Sequence, residues 1–127
     1  MYLGIDLGRK TTGVAISAGQ LASPYATITH KNIDQAVNSI VQTIELEGIA
    51  TVVIGCVEGK IKTLFEGFAK KLHKQKPDLK IILWDETLTT GQATQTMIKL
   101  QVPKMRRRQK EHEVAAAIIL QSYLDSQ

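Results

Sequence analysis

Four acidic side chains stand where acids are costly to place. Asp6 lies inside the apolar run "MYLGIDLG", Glu58 follows "TVVIGCV", and Asp85 and Glu86 follow "IILW". Each run has the composition of a buried strand, and a carboxylate there needs a hydrogen bond, a cation or a metal as its partner. In open sheets with parallel strands, sites gather at the carboxyl ends of strands that lie about 4.8 Å apart. Asp6, Glu58 and the Asp85–Glu86 pair are therefore expected to converge on one edge of one sheet. Carboxylates at close quarters repel one another, and divalent cations with a preference for oxygen ligands relieve that repulsion. Two such ions about 3.5–4 Å apart are the usual device for in-line hydrolysis of a phosphodiester, one activating water and the other stabilising the leaving oxygen. Each acid also has a plainer reading. Asp6 can accept hydrogen bonds from a turn, Glu58 can be an exposed loop residue, and Asp85 and Glu86 can cap the helix that follows. Their joint placement, more than any one of them, favours metal-assisted chemistry.

The elements that position these acids alternate along the chain. After the first strand, "TTGVAIS" reads as a second, paired antiparallel through a turn at Gly8 to Lys10. "LASPYATIT" reads as a third, with Pro24 marking a break or a sheet edge. Ile33, Val37, Ile40, Val41 and Ile44 recur at helical spacing, with Asn32 or Asp34 as cap and Gly48 as terminator. "IATVVIGCV" is a strand of the kind buried on both faces. Ile61 to Gln75 is amphipathic through Ile61, Leu64, Phe65, Phe68 and Leu72, and stops before Pro77. "LKIILWDE" is another strand, and Thr89 or Thr90 opens a helix through Ala93 and Met97 toward Leu100. "VPKMRRRQK" is a basic loop, and Glu111 to Asp125 forms a last helix rich in alanine and isoleucine. The expectation is an α/β fold in one domain, residues 1–127. Its mixed five-stranded sheet has a three-stranded antiparallel start, two parallel strands, and helices on both faces.

Composition narrows the class. With 127 residues, 43% hydrophobic and 22% charged, the chain can bury one real core and is not a disordered segment. No apolar run is long enough to span a bilayer, so no membrane is expected as a partner. The chain opens on a strand without a basic leader and has one cysteine, Cys56, which together suggest a reducing, cytoplasmic setting. A net charge of +4 and a pI near 9.3 incline it toward anionic partners, nucleic acid among them, without requiring one. Arg106, Arg107, Arg108 and Lys110 form a basic run ahead of the last helix, suited to phosphate contacts or to a solvated loop. One tryptophan, three tyrosines and two phenylalanines do not make an interleaved platform for unstacked bases. His30 and His73 lack partners at ligand spacing, and Cys56 reads as a core thiol.

"GIDLGRKTTGVAIS", "VVIGCVEG", "WDETLTTGQA" and "EHEVAAAIILQSYLD", in that order and spanning nearly the whole chain, resemble the YqgF/RuvX family of RNase H-like nucleases. The opening motif is shared with actin-like ATPases and sugar kinases; the strand-five motif and the alanine-rich last helix are far more specific. The family is described as Holliday-junction-resolvase-like and as pre-16S rRNA nucleases. The resemblance implies an RNase H-like fold and a carboxylate cluster binding Mg2+ or Mn2+. Its first aspartate falls on Asp6 and its strand-five acids on Asp85 and Glu86. Its third acidic position falls on His112, between Glu111 and Glu113, which is a departure. Imidazole can ligate a divalent metal, with a shift of preference from magnesium toward manganese-like ions. Glu58 becomes a candidate ligand by likeness to related resolvases. Arg9 and Lys10 stand where the family often has a basic residue just after, at Thr11, and join the basic run as candidate nucleic-acid contacts. The implied activity is metal-dependent endonucleolytic cleavage of structured nucleic acid, with precursor 16S rRNA ahead of branched DNA, by a monomer or homodimer. A nucleic-acid-binding module that has lost its chemistry, with His112 as its mark, is the alternative. An ATPase built on "GIDLG" is disfavoured by the single domain and the lack of a P-loop.

Overall fold

The structure, a computed structural model, describes residues 1–56, 62–85 and 111–127. Alternating or continuous apolar runs give five strands: β1 (Tyr2–Asp6), β2 (Thr11–Ser17), β3 (Ala22–Thr29), β4 (Thr51–Cys56) and β5 (Lys80–Asp85). They form one sheet in the order β3-β2-β1-β4-β5. β1 pairs antiparallel with β2, and β2 with β3, while β4 and β5 run parallel to β1. The expected mixed sheet is therefore found, with β1 at its centre. Pro24 lies within β3, an edge strand, where a residue without an N–H is best tolerated. Opposite it the register slips between Val14 and Ala15, which pair with Ala26 and Pro24, so Tyr25 is an extra residue in the ladder.

Three helices are described: α1 (Ile33–Glu47), α2 (Lys62–Gln75) and α3 (Glu111–Asp125). Both proposed ends of α1 are present. Asn32 is the N-cap, its side chain accepting from the Gln35 N–H at 2.9 Å, and Gly48 closes the helix at φ 64° in the left-handed region. The helix proposed toward Leu100 and the basic loop lie outside the described residues.

The sheet is covered on both faces. On one face, Leu3, Ile5, Val14, Val52 and Ile54 pack against Val37 and Ile40 of α1 and Phe65, Phe68 and Leu72 of α2. On the other, Ala15, Val53, Ile82 and Trp84 meet Ala116, Ala117, Leu120 and Tyr123 of α3. Two glycines decide how closely α3 lies. A Cβ on Gly4 would stand 2.6 Å from Leu120 Cβ and 2.8 Å from the Ala116 carbonyl oxygen. A Cβ on Gly13 would stand 1.8 Å from the His112 carbonyl oxygen. Only bare backbone on β1 and β2 lets the helix settle at that distance, and the alanines on its lower face make the approach possible from the other side.

Candidate active site

The site is built on one row across the sheet. Asp6 pairs with Gly13 on β2 and with Gly55 on β4; Gly13 pairs with Thr27 on β3, and Gly55 with Trp84 on β5. Residues paired across strands share a face, so this row runs Thr27, Gly13, Asp6, Gly55, Trp84 beneath the first turn of α3. The two glycines flank Asp6, so neither neighbouring strand sets a side chain beside its carboxylate in this row. Trp84 ends the row partly buried against the α3-side core, set edge-on against Tyr123 with ring centroids 5.5 Å apart at 88°. That position makes it part of the packing against α3.

The first turn of α3 straddles Gly13, and two of its side chains fall on opposite sides. His112 turns toward β1, where its Nδ1 stands 3.9 Å from Asp6 Oδ2. Glu113 turns toward β3, where its Oε2 accepts from the Thr27 hydroxyl at 3.0 Å. Glu113 is 5% exposed, which is rare for a glutamate and marks it as an anchor of the helix. Its partner Thr27 lies on β3, two strand spacings, about 10 Å, from the strand of Asp6.

The His112–Asp6 gap is too long for a hydrogen bond. It does suit two ligands of one ion. Groups about 2.1 Å from a common centre lie between about 3.0 Å apart at right angles and about 4.2 Å apart in line. The side chains are partly open to solvent, 47% for His112 and 23% for Asp6, so an ion and a substrate oxygen can both reach them. An oxygen and an imidazole nitrogen thus fit a divalent cation, with the softer nitrogen favouring manganese over magnesium. Among the described residues no group of three or more His, Cys, Asp or Glu side chains is gathered to hold a metal.

Asp85 occupies the same sheet edge but a different face. It follows Trp84, and the pleat that turns Trp84 toward α3 turns Asp85 toward the α1 and α2 side. Sharing an edge is not sharing a face, and β4 intervenes between it and Asp6. Arg9 and Lys10 lie exposed in the turn that directly follows Asp6's strand. Glu58, Glu86, Arg106, Arg107, Arg108 and Lys110 lie outside the described residues. Reasoning from sequence does not single out Gly13 or Thr27, and it considers Glu113 only as a neighbour that could substitute for His112 by a change of helical register. The one local signal is the Thr-Thr-Gly of β2, a small residue in an otherwise apolar strand.

Comparisons with known proteins bear on the family and the fold. A family model described as "RuvX: Holliday junction resolvase" matches residues 1–126. Proteins of Staphylococcus aureus strains JH9 and N315 named "Putative pre-16S rRNA nuclease" are 34% identical over 134 residues, covering 98% of this chain and 94% of theirs. The fowlpox virus Holliday junction resolvase superposes with a TM-score of 0.61 at 14% identity, over 99% of both chains. Thermus thermophilus RuvC, solved in complex with a Holliday junction substrate, superposes with a TM-score of 0.66 at 12% identity, over 98% of this chain and 94% of that one. At such identities the likeness is one of fold, and the fold is RNase H-like.

Proposed function

This chain belongs to the RuvX family and is a nuclease, and we propose that it cleaves structured nucleic acid with the help of a divalent cation, Mg2+ or Mn2+. The preferred substrate in this reading is precursor 16S rRNA, the substrate that the names of its curated relatives carry. The observation that supports it most is the facing of Asp6 and His112 across 3.9 Å at the carboxyl edge of the sheet. The cation, when bound, supplies a Lewis acid that neutralises phosphate charge and lowers the pKa of water.

Asp6 and His112 hold the cation in this reading, joined by Glu86 and Glu58 as the sequence suggests. In sequence Glu86 stands two residues beyond Trp84, the spacing that shares a face in an extended chain. Asp85, on the other side of the pleat, then orients its neighbour and does not ligate. Gly55, beside Asp6 on β4, sets no side chain against the carboxylate from that strand, while Gly13 on β2 is covered by the first turn of α3. Arg9 and Lys10, with Arg106, Arg107, Arg108 and Lys110, hold flanking phosphates without reading bases. No helix among the described residues is long and apolar enough to cross a membrane.

A second reading, cleavage of four-way DNA junctions, is favoured by the description of the matching family model. The test is cleavage of end-labelled precursor 16S rRNA fragments and of a four-way DNA junction, with Mg2+ or Mn2+ and with EDTA. Discrete, metal-dependent cuts in the RNA support the first reading; cuts confined to the junction support the second. Binding without cleavage in any metal would make the chain a nucleic-acid-binding module and overturn both.

A further inference from the structure

We propose that Lys31, between β3 and α1, completes with Arg9 and Lys10 a cationic track that holds the phosphates of the strand leading away from Asp6. The inference rests on the nuclease reading above and extends it to a residue and a direction. Three strands meet the same edge here. Asp6 is the last residue of β1, Thr11 the first of β2 and Thr29 the last of β3, and Thr11 pairs with Thr29. Arg9 and Lys10 precede Thr11, and Lys31 follows Thr29 by two. The ladder continues past the strands, because the His30 N–H donates to the Lys10 carbonyl at 2.8 Å. The two cationic segments are therefore tied side by side.

The tie is firm. His30 is 4% exposed, and its Nε2 shares a hydrogen bond of 2.8 Å with the buried Thr12 hydroxyl. The Lys31 N–H donates to Gln35 Oε1 at 2.7 Å, while the Gln35 N–H donates to Asn32 Oδ1 at 2.9 Å. This reciprocal pair fixes the Lys31 backbone ahead of the cap and satisfies one first-turn donor of α1, the Gln35 N–H. What remains available to an anion is the charged side chains. Arg9, Lys10 and Lys31 are exposed, and none forms an ion pair among the described residues, whereas Lys71 and Lys76 are paired with Asp34 and Glu45. The pairing of Lys71 with Asp34, at 2.6 Å, also neutralises the acid near Lys31 that would repel a phosphate. From β1 to β3 is two strand spacings, about 10 Å. A nucleic-acid strand rising about 3.4 Å per residue covers that distance in about three nucleotides.

The test is the salt dependence of binding. A fluorescein-labelled RNA hairpin with single-stranded arms is titrated with Asp6→Asn protein in EDTA, so that it is not cut, between about 50 and 200 mM KCl. On a single strand, every phosphate that a cationic side chain neutralises adds about 0.7 to the magnitude of the slope of log Kobs against log salt. Lys31→Ala is expected to lower the slope by that amount and weaken binding several-fold at low salt, and Lys31→Arg to restore both. Lys80→Ala, at the first residue of β5 and so at the opposite end of the sheet, is expected to keep the parent slope. A parent slope in Lys31→Ala, with a reduced one in Arg9→Ala or Lys10→Ala, overturns the inference and leaves the nuclease reading standing. Parent slopes in all three overturn the inference together with the assignment of this edge to nucleic acid.

Discussion

Replacing Gly13 by alanine probes the link between packing and site most sharply. The new Cβ would stand 1.8 Å from the His112 carbonyl oxygen and 2.1 Å from its carbon, both backbone atoms that no rotamer change can move. Ordinary contact begins at 3.4 Å, so the first turn of α3 must retreat by about 1.6 Å, the difference between 3.4 and 1.8. That displacement is large beside the 3.9 Å that separates His112 from Asp6 and the 3.0 Å hydrogen bond from Thr27 to Glu113. Overpacking of this kind costs about 1–3 kcal/mol, and about 4 °C of Tm is lost per kcal/mol in a domain of this size. A misplacement of about 1 Å at a catalytic group can cost about a hundredfold in rate. The expectation is a folded protein with a lowered Tm and kcat/KM reduced about a hundredfold, assayed well below its Tm. Circular dichroism during heating and cleavage of a labelled substrate measure the two effects separately. Wild-type Tm and kcat/KM together would refute the packing argument. A lowered Tm with unchanged kcat/KM would refute the claim that this close approach sets the site.

Other substitutions follow from the same geometry. Gly67 in α2 has nothing within 4 Å of an added Cβ, so Gly67→Ala is expected to raise stability by about 0.5–1 kcal/mol in urea unfolding, with cleavage unchanged. Thr27→Val removes a donor to the buried Glu113 and is expected to cost about 1 kcal/mol by the same measurement. Burial holds the His30 pKa below its ordinary value of 6.5, an effect the Asn32 backbone offsets in part. The unfolded chain therefore takes up a proton on this ring that the folded chain resists. The stability from neutral His30 is full above about pH 6.5 and falls as the pH drops from there to the folded pKa. Unfolding at pH 7.5 and 5.5 should show this loss, and His30→Phe should diminish it.

Much of the fold is legible in the sequence because each element carries its own signals. Asn32 and Gly48 bound α1 through local backbone chemistry, and "TTGVAIS" and "EHEVAAAIILQSYLD" coincide with β2 and α3 to the residue. The candidate site is less legible because it depends on which face and which neighbour. Asp85 and Glu86 are adjacent, so the pleat allows only one of them to share the face of Asp6 while the strand stays extended. That constraint is present in the sequence, but proximity to one edge obscures it. Glu113, charged and near a helix start, has the look of a solvated residue. It is buried against Thr27, 86 positions earlier, and no local pattern carries a contact of that span. Gly13 likewise shows a small residue in a strand without showing which helix will lie on it.

The central claim is that Asp6 and His112 together hold a divalent cation. Binding of Mn2+ followed by electron paramagnetic resonance, in the wild-type protein and in Asp6→Asn and His112→Ala, tests it most directly. A bound-manganese signal is expected in the wild type, lost in Asp6→Asn and weakened at least several-fold in His112→Ala, with cleavage of labelled RNA falling in the same order. Undiminished manganese binding and undiminished cleavage in Asp6→Asn would contradict it.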